Sequence, residues 1–307
     1  MINDSLRGRG VDMLISVLTI MPDLFGSFLK GPVIERAVRK GVLEVEIIDI
    51  RDYAPGSFRH IDDSPFGGGP GMVMRCQPVL DALRSCKARA AGPGGFSAMD
   101  FTADPAVDPA GKEAAEPVSE ENTTGTGSNS GEAGPARKIP ETRTVIMSPA
   151  GTPYTQKKAH DFAGLDHLIL ICGHYEGMDA RIFPHADEQL SIGDYVLTGG
   201  EPAAQVVIDS VARLLPGSLR DRSTQEESFE NGLLEYPQYT QPAVYEGEAV
   251  PEVLRSGDHE RIRKWRLLQS LLLTRKMRPD LFAAHSLTAE EEKLLAEADR
   301  SGEESEI

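Results

Sequence analysis

Short apolar runs and helical periodicities alternate along most of the chain. Leu14-Ile15-Ser16-Val17-Leu18-Thr19-Ile20 is apolar and partly β-branched, which predicts a central strand. Asp23 to Lys40 places Leu24, Phe25, Phe28, Leu29, Val33, Ile34, Ala37 and Val38 at roughly helical spacing, interrupted at Gly31-Pro32, and Leu43 to Ile50 is a second strand candidate. A strand–helix–strand start of this kind predicts an α/β domain with a mostly parallel sheet. The pattern then predicts a helix from about Pro78 to Ala91, a strand from Thr144 ending at a Ser148-Pro149 turn, a helix from Gln156 to Ala163, and a buried strand from Leu168 to Gly173. Ala203 to Leu215 reads as a helix stopped by Pro216-Gly217. The remainder is helical: Pro251 to Leu254, an amphipathic helix from Asp258 to Met277 stopped by Pro279, and Ala289 to Asp299.

Two stretches lack any period. From Gly92 to Pro140, Gly, Pro, Ala, Ser, Thr, Asn and acids dominate, and Asn122 to Gly131 is near low complexity, so this segment is expected to be a disordered acidic insertion outside the core. Ser218 to Glu235 is polar and reads as a linker, and the tail from Ser301 is acidic.

Composition narrows the class. Hydrophobic residues make up 40 % of 307, enough for a sizeable core and, on length, two domains. Cys76, Cys86 and Cys172 form no Cys-x-x-Cys pair and no Cys/His cluster, so neither a disulfide framework nor a zinc site is suggested and a reducing cytoplasm fits. No apolar run approaches the ~20 residues that span a bilayer. Met13 to Met21 lacks the small-residue cleavage site of a signal peptide, and either residues 1–12 are expected to be dispensable or Met13 to be an alternative start. The net charge of −16 argues against nucleic-acid binding over the whole surface. The acidity is uneven, however: Arg261, Arg263, Lys264 and Arg266 crowd one helix around Trp265, with Arg255 upstream and Arg275, Lys276 and Arg278 downstream. That density is either a solvated face or a local patch for phosphates, with Trp265 assigned to packing rather than base stacking.

The candidate chemistry lies in loops after strands, where open α/β sheets bind ligands. These are Ser148-Pro149, Gly173-His174-Tyr175-Glu176-Gly177-Met178-Asp179, and Ser191-Ile192-Gly193-Asp194-Tyr195-Val196-Leu197-Thr198-Gly199-Gly200-Glu201. The paired glycines permit close backbone approach to a ligand, although an ordinary turn into a helix accounts for them equally well. No dinucleotide fingerprint or P-loop is present, and the loops carry no Lys or Arg, which suits a ligand with a purine and a sugar but little phosphate charge. On spacing alone Arg213 is a helix C-terminal cation, and Asp221, Glu226, Glu227 and Glu230 are solvated acids of the linker.

Four motifs in order carry a resemblance: Phe66-Gly67-Gly68-Gly69-Pro70-Gly71-Met72, Cys172 to Asp179, Ser191 to Glu201, and Ser256-Gly257-Asp258-His259 with Trp265-Arg266. Together they resemble the bacterial tRNA (guanine-N1)-methyltransferases that modify position 37, members of the trefoil-knot RNA methyltransferases. The resemblance covers nearly all of the chain outside residues 1–12, the insertion and the tail. It implies a mostly parallel α/β sheet with a deep knot over 1–219 (insertion at 92–140), a flexible catalytic linker over 220–236, and a small all-α tRNA-binding domain over 237–307. It further implies S-adenosylmethionine as methyl donor, a homodimer with the active site at the interface, and a magnesium requirement, though no ligand cluster here locates an ion. Carried over, Ser148, Pro149, Gly173, Tyr175, Glu176, Ile192, Gly193, Asp194, Tyr195, Val196, Leu197, Gly199, Gly200 and Pro202 line the donor site. Arg213 matches the arginine that holds charge on guanine O6, and Arg261, Arg263, Lys264 and Arg266 are assigned to tRNA. The family's base is an aspartate before Ser-Phe; Glu227-Ser228-Phe229 stands there, one methylene longer, with Asp221 as runner-up. The competing readings are a knotted methyltransferase for another RNA site and a non-catalytic RNA-binding relative.

Overall fold

The computed structural model describes residues 11–91, 141–219 and 227–302. The expected insertion at 92–140, and Asp221 and Glu226 of the linker, lie outside them. The sheet is built from β1 (Met13–Thr19), β2 (Leu43–Asp49), β5 (Thr142–Pro153), β6 (His167–Cys172) and β7 (Glu188–Ser191), in the order β2-β1-β6-β5-β7 with every neighbouring pair parallel. Two minor strands, β3 (Asp62–Asp63) and β4 (Val73–Met74), form a small antiparallel ladder.

Strand alternation sorts the core into two faces, because successive side chains point to opposite sides of a sheet. Met13, Ile15 and Val17 of β1, Val145 and Met147 of β5, and Leu168, Leu170 and Cys172 of β6 pack with Ile34 and Ala37 of α1 (Pro32–Lys40), Phe162 of α3 (Gln156–Ala163), and Ala204, Val207, Ile208 and Val211 of α4 (Glu201–Ala212). Leu18, Ile48, Ile146, Ile169 and Ile171 face the other way, onto Val79, Leu80, Ala82, Leu83 and Cys86 of α2 (Cys76–Ala91). After a short β8–β9 hairpin (Val244–Tyr245, Glu248–Ala249) come α5 (Glu252–Arg255), α6 (His259–Met277), α7 (Pro279–Ala284) and α8 (Ala289–Ser301). Leu268, Leu271 and Leu272 of α6 join Leu295 and Ala298 of α8 and Leu233 of the linker in a third apolar cluster.

Four departures from the sequence pattern have local causes. Asp23 to Lys30 forms two 3-10 turns rather than a helix, and α1 starts only at Pro32, whose fixed φ suits a first helical turn. β5 does not end at Ser148-Pro149. Both Met147 and Thr152 pair with Leu190, so the residues between them leave the ladder as a bulge, consistent with a proline that has no N–H to donate. α6 is not simply amphipathic: its first turns are exposed, while Leu268, Gln269, Ser270, Leu271, Leu272 and Thr274 are all buried. Pro279 does more than stop α6, since it occupies the first turn of α7.

Candidate active site

The bulge of β5, the loop after β6 and the loop after β7 meet around a cavity of about 230 Å³. Ser148, Pro149, Gly173, Tyr175, Glu176, Ile192, Gly193, Tyr195, Val196, Leu197, Gly199 and Gly200 all line it, so one strand bulge and the loops after two strand ends converge there. Asp194 and Pro202 are exposed and are not among the lining residues. Met147, His174, Gly177, Met178, Phe183, Leu190, Ser191, Thr198 and Ala203 complete the wall. Among the described residues no Lys or Arg lines the cavity. Ser191 Oγ fixes the turn by accepting from Gly193 N–H at 3.2 Å, and Tyr154 N–H donates to Ser191 O at 2.8 Å. Tyr175 is held at φ 59°, a conformation that a bulky residue adopts only under constraint.

Beneath the cavity lies a buried acid. Glu201, 1 % exposed, accepts from Thr19 Oγ1 of β1 at 2.6 Å through Oε1. Its Oε2 sits 3.1 Å from His174 Nε2, an ion-pair distance without an aligned hydrogen bond. The pair thus ties the ends of β1 and β6 to the first turn of α4. Burial and this carboxylate push the Cys172 thiol well above its ordinary value, so Cys172 is a packing residue. Gly199 makes room for the pair: a Cβ there would lie 2.3 Å from both Glu201 Oε2 and His174 Nε2. The glycine doublet therefore accommodates the protein's own side chains as well as bordering the cavity.

The glycine-rich loop at 66–72 docks against the same region. Met72 N–H donates to Glu176 Oε2 at 2.8 Å and Met74 N–H to Gly177 O at 2.9 Å. Gly71, at φ 83°, has no alternative: a Cβ would fall 1.8 Å from the Glu176 carboxyl carbon.

Arg213 follows α4, and Glu227 opens the described part of the linker. Nη1 and Nη2 donate to Oε2 and Oε1 at 2.6 and 2.7 Å, a bidentate fork that raises the guanidinium's pKa and keeps it cationic. Glu230 is held separately by Gln156 Nε2 at 2.7 Å and His160 Nε2 at 2.9 Å, which anchors the linker to α3. Among the described residues no cluster of three or more His, Cys, Asp or Glu residues is arranged to hold a metal ion. No helix of the described residues is long and apolar enough to cross a membrane.

The profile of the family described as tRNA (Guanine-1)-methyltransferase TrmD matches residues 13–98 and 129–284. The chain belongs to this family. A tRNA (guanine-N(1)-)-methyltransferase of Clostridium botulinum (strain Eklund 17B / Type B) is 42 % identical over 284 residues, 92 % of this chain and 98 % of the relative. A second, from Clostridium botulinum (strain Kyoto / Type A2), is 39 % identical with 92 % and 97 % covered, and one from Clostridium beijerinckii is 40 % identical with 92 % and 98 % covered. The family match breaks off after residue 98 and resumes at 129, within the compositionally odd stretch, so the segment between is extra to the family pattern.

Against this family background the basic helix divides in two. Arg263 pairs with Glu260 and with Glu290 of α8, Lys264 with Glu260 at 3.3 Å, and Arg275 with Asp299 of α8 at 3.1 Å. The acids of α8 are distant in sequence, so the count of neighbouring charges understated how far the patch is neutralised. Among the described residues no ion pair is formed by Arg255 or Arg261, and Arg266 lies over the Tyr236 ring at 4.7 Å. Sequence reasoning also passed over Glu201 and His174 as a pair; Glu201 closing a Gly-Gly-Glu run before an apolar helix was the available signal.

Proposed function

We propose that this protein transfers a methyl group from S-adenosylmethionine to N1 of the guanosine at position 37 of tRNA. The observation that carries the reading beyond family membership is the Arg213–Glu227 fork. Guanine presents an N1–H donor beside an O6 acceptor. A carboxylate paired with a guanidinium offers the complementary edge, so the base can replace the fork by giving N1–H to Glu227 and O6 to Arg213. Adenine has the opposite polarity at these two atoms and would leave both protein groups mismatched, which is the strong form of discrimination. Glu227 then takes the N1 proton, and Arg213 holds the charge that moves onto O6.

The cavity suits the donor in its largely apolar wall and in having no Lys or Arg among its described lining residues. When bound, S-adenosylmethionine supplies an electrophilic methyl on a sulfonium. Ser148, Pro149, Gly173, Tyr175, Glu176, Ile192 to Leu197, Gly199 and Gly200 would hold it, with Pro202 adjoining on α4.

Two features support the dimer and the knot that the family resemblance implies. Arg213 and Glu227 are absent from the cavity wall of their own chain. Gly200 caps the start of the 12-residue α4 and Arg213 its end, a separation of roughly 20 Å by helical rise. In our reading the fork therefore serves the cavity of a second copy. The exposure of Val196, 87 %, in the cavity's outer wall is in keeping with a partner surface there. For the knot, the chain runs from the sheet edge at β7 back to β6, where Gly200 N–H donates to Gly173 O at 2.9 Å, and on past α3 and α1. The helical segment after the linker acts on the tRNA through Arg261 and Arg266, and through Arg263 and Lys264 where phosphates displace Glu260 and Glu290 from them.

Incubating the protein with methyl donor and unmodified tRNA and mapping the product nucleoside tests the reading. N1-methylguanosine at position 37 is the expected product; methylation elsewhere, or none, would overturn it.

A further inference from the structure

A second cavity, of about 460 Å³, lies away from the donor site between residues 236–243, the end of α5 and the first half of α6. It is twice the size of the first and falls within the ~300–1,000 Å³ of ligand clefts. Tyr236, Tyr239 and Trp265 supply its rings and Arg255 and Arg266 its cations. Arg266 stacks on Tyr236 at 4.7 Å. Tyr239 and Trp265 are 6.3 Å apart and inclined at 54°, so neither ring face is closed off by a parallel stack with the other.

These rings are not core. The apolar cluster of this region is built from Leu233, Leu268, Leu271, Leu272, Leu295 and Ala298, with Phe282 and three leucines packed against it, and it includes none of the three rings. Tyr239 is 39 % exposed and Trp265 half-buried. The expectation that Trp265 serves packing therefore fails: α6 packs through the turns that follow it. Aromatic faces beside arginines are the equipment with which proteins take up unstacked bases of single-stranded RNA, the rings stacking and the cations meeting the flanking phosphates. Arg255 lines the cavity and Arg261 lies one turn before Trp265; both are exposed and, among the described residues, outside the ion pairs that neutralise Arg263 and Arg275.

We propose that this cavity binds an unpaired nucleobase of the substrate RNA, other than the base that is methylated. This rests on the reading that tRNA is the substrate. Trp265 is the only tryptophan of the chain, so its emission reports this cavity alone. Titrating the full-length protein with an unmodified tRNA transcript should quench that emission, saturating at the concentration at which a mobility shift saturates. Tyr239→Ala should weaken tRNA binding roughly tenfold while leaving the thermal midpoint and the affinity for S-adenosylhomocysteine unchanged. Trp265→Phe, which keeps a ring, should bind within about twofold of the parent, and Trp265→Ala should not. Unaltered emission, or unaltered affinity in Tyr239→Ala, with tRNA binding and methyl transfer intact would overturn the cavity proposal and spare the substrate reading. Loss of both binding and transfer in the parent protein would sink the substrate reading and this proposal together.

Discussion

Arg213 and Glu227 face each other through two hydrogen bonds of 2.6 and 2.7 Å, each side chain about a quarter to a third exposed. Glu227 meets the guanidinium with both of its carboxylate oxygens, a bidentate pairing of good geometry. Glu227→Gln should reduce single-turnover methyl transfer by ~10²-fold or more while leaving S-adenosylhomocysteine binding intact. Arg213→Lys keeps a charge but loses the planar fork, and should also slow transfer more than it weakens donor binding. Wild-type rates in either variant would remove these residues from the chemistry.

Mixing two inactive variants distinguishes sites completed in trans from sites within one chain. If the fork of one copy serves the cavity of another, co-refolded Gly199→Val and Glu227→Gln chains form mixed dimers with one intact site each. Activity should return to about a quarter of the parent level at equal mixing. No recovery, with mixed dimers shown to form, would place the whole site in one chain.

Gly199 and Glu201 should fail differently. A valine at 199 drives its Cβ into the His174–Glu201 pair, so donor affinity measured by calorimetry should collapse. Glu201→Ala strips Thr19 of its buried acceptor and should cost about 1–3 kcal/mol in denaturant melts. Glu201→Gln retains an acceptor for Thr19 and should cost less. Equal melts for alanine and glutamine would mean that the buried carboxylate is not the tie between β1, β6 and α4.

Acidification should destabilise the fold through His167. It is 2 % exposed, its Nε2 is 2.9 Å from Ser16 Oγ, and its buried Nδ1 has no hydrogen-bond partner among the described residues. Burial first, then the nearby Arg89, lower its pKa from an ordinary 6.5 to about 4. The unfolded chain therefore binds the proton below about pH 6.5 while the folded chain refuses it until about pH 4. Stability falls across that window, by about 3 kcal/mol in total, and this contribution is flat at neutral pH. His167→Gln should flatten the thermal midpoint between pH 6.5 and 4; an unchanged slope would assign the loss to other groups.

Much of the sheet was legible because its strands are buried on both faces and read as continuous apolar runs, as in Leu168 to Cys172. β7 was harder, since Glu188 and Gln189 sit on an edge strand in a polar stretch with no such run. The loops that line the first cavity were legible from their glycines, but the reason for one of those glycines was not. Gly199 answers to a side chain from the β6 exit loop that only the fold brings near it. The basic helix misled in both directions: acids of α8 neutralise part of it, and Trp265, assigned to packing, lines an open cavity. Both errors arise from tertiary contacts that the local sequence does not show: α8 brings acids to Arg263 and Arg275, and the segment 236–243 lies beside Trp265.

The length of α4 has a consequence for how far this protein can drift. With Gly200 at one end and Arg213 at the other, the helix works as a ruler graduated in residues. One inserted residue would turn Arg213 by about 100° and carry it about 1.5 Å further along the axis. Neither change can be absorbed gradually, so the spacing from Gly200 to Arg213 tolerates substitutions within the helix but not a change in its length.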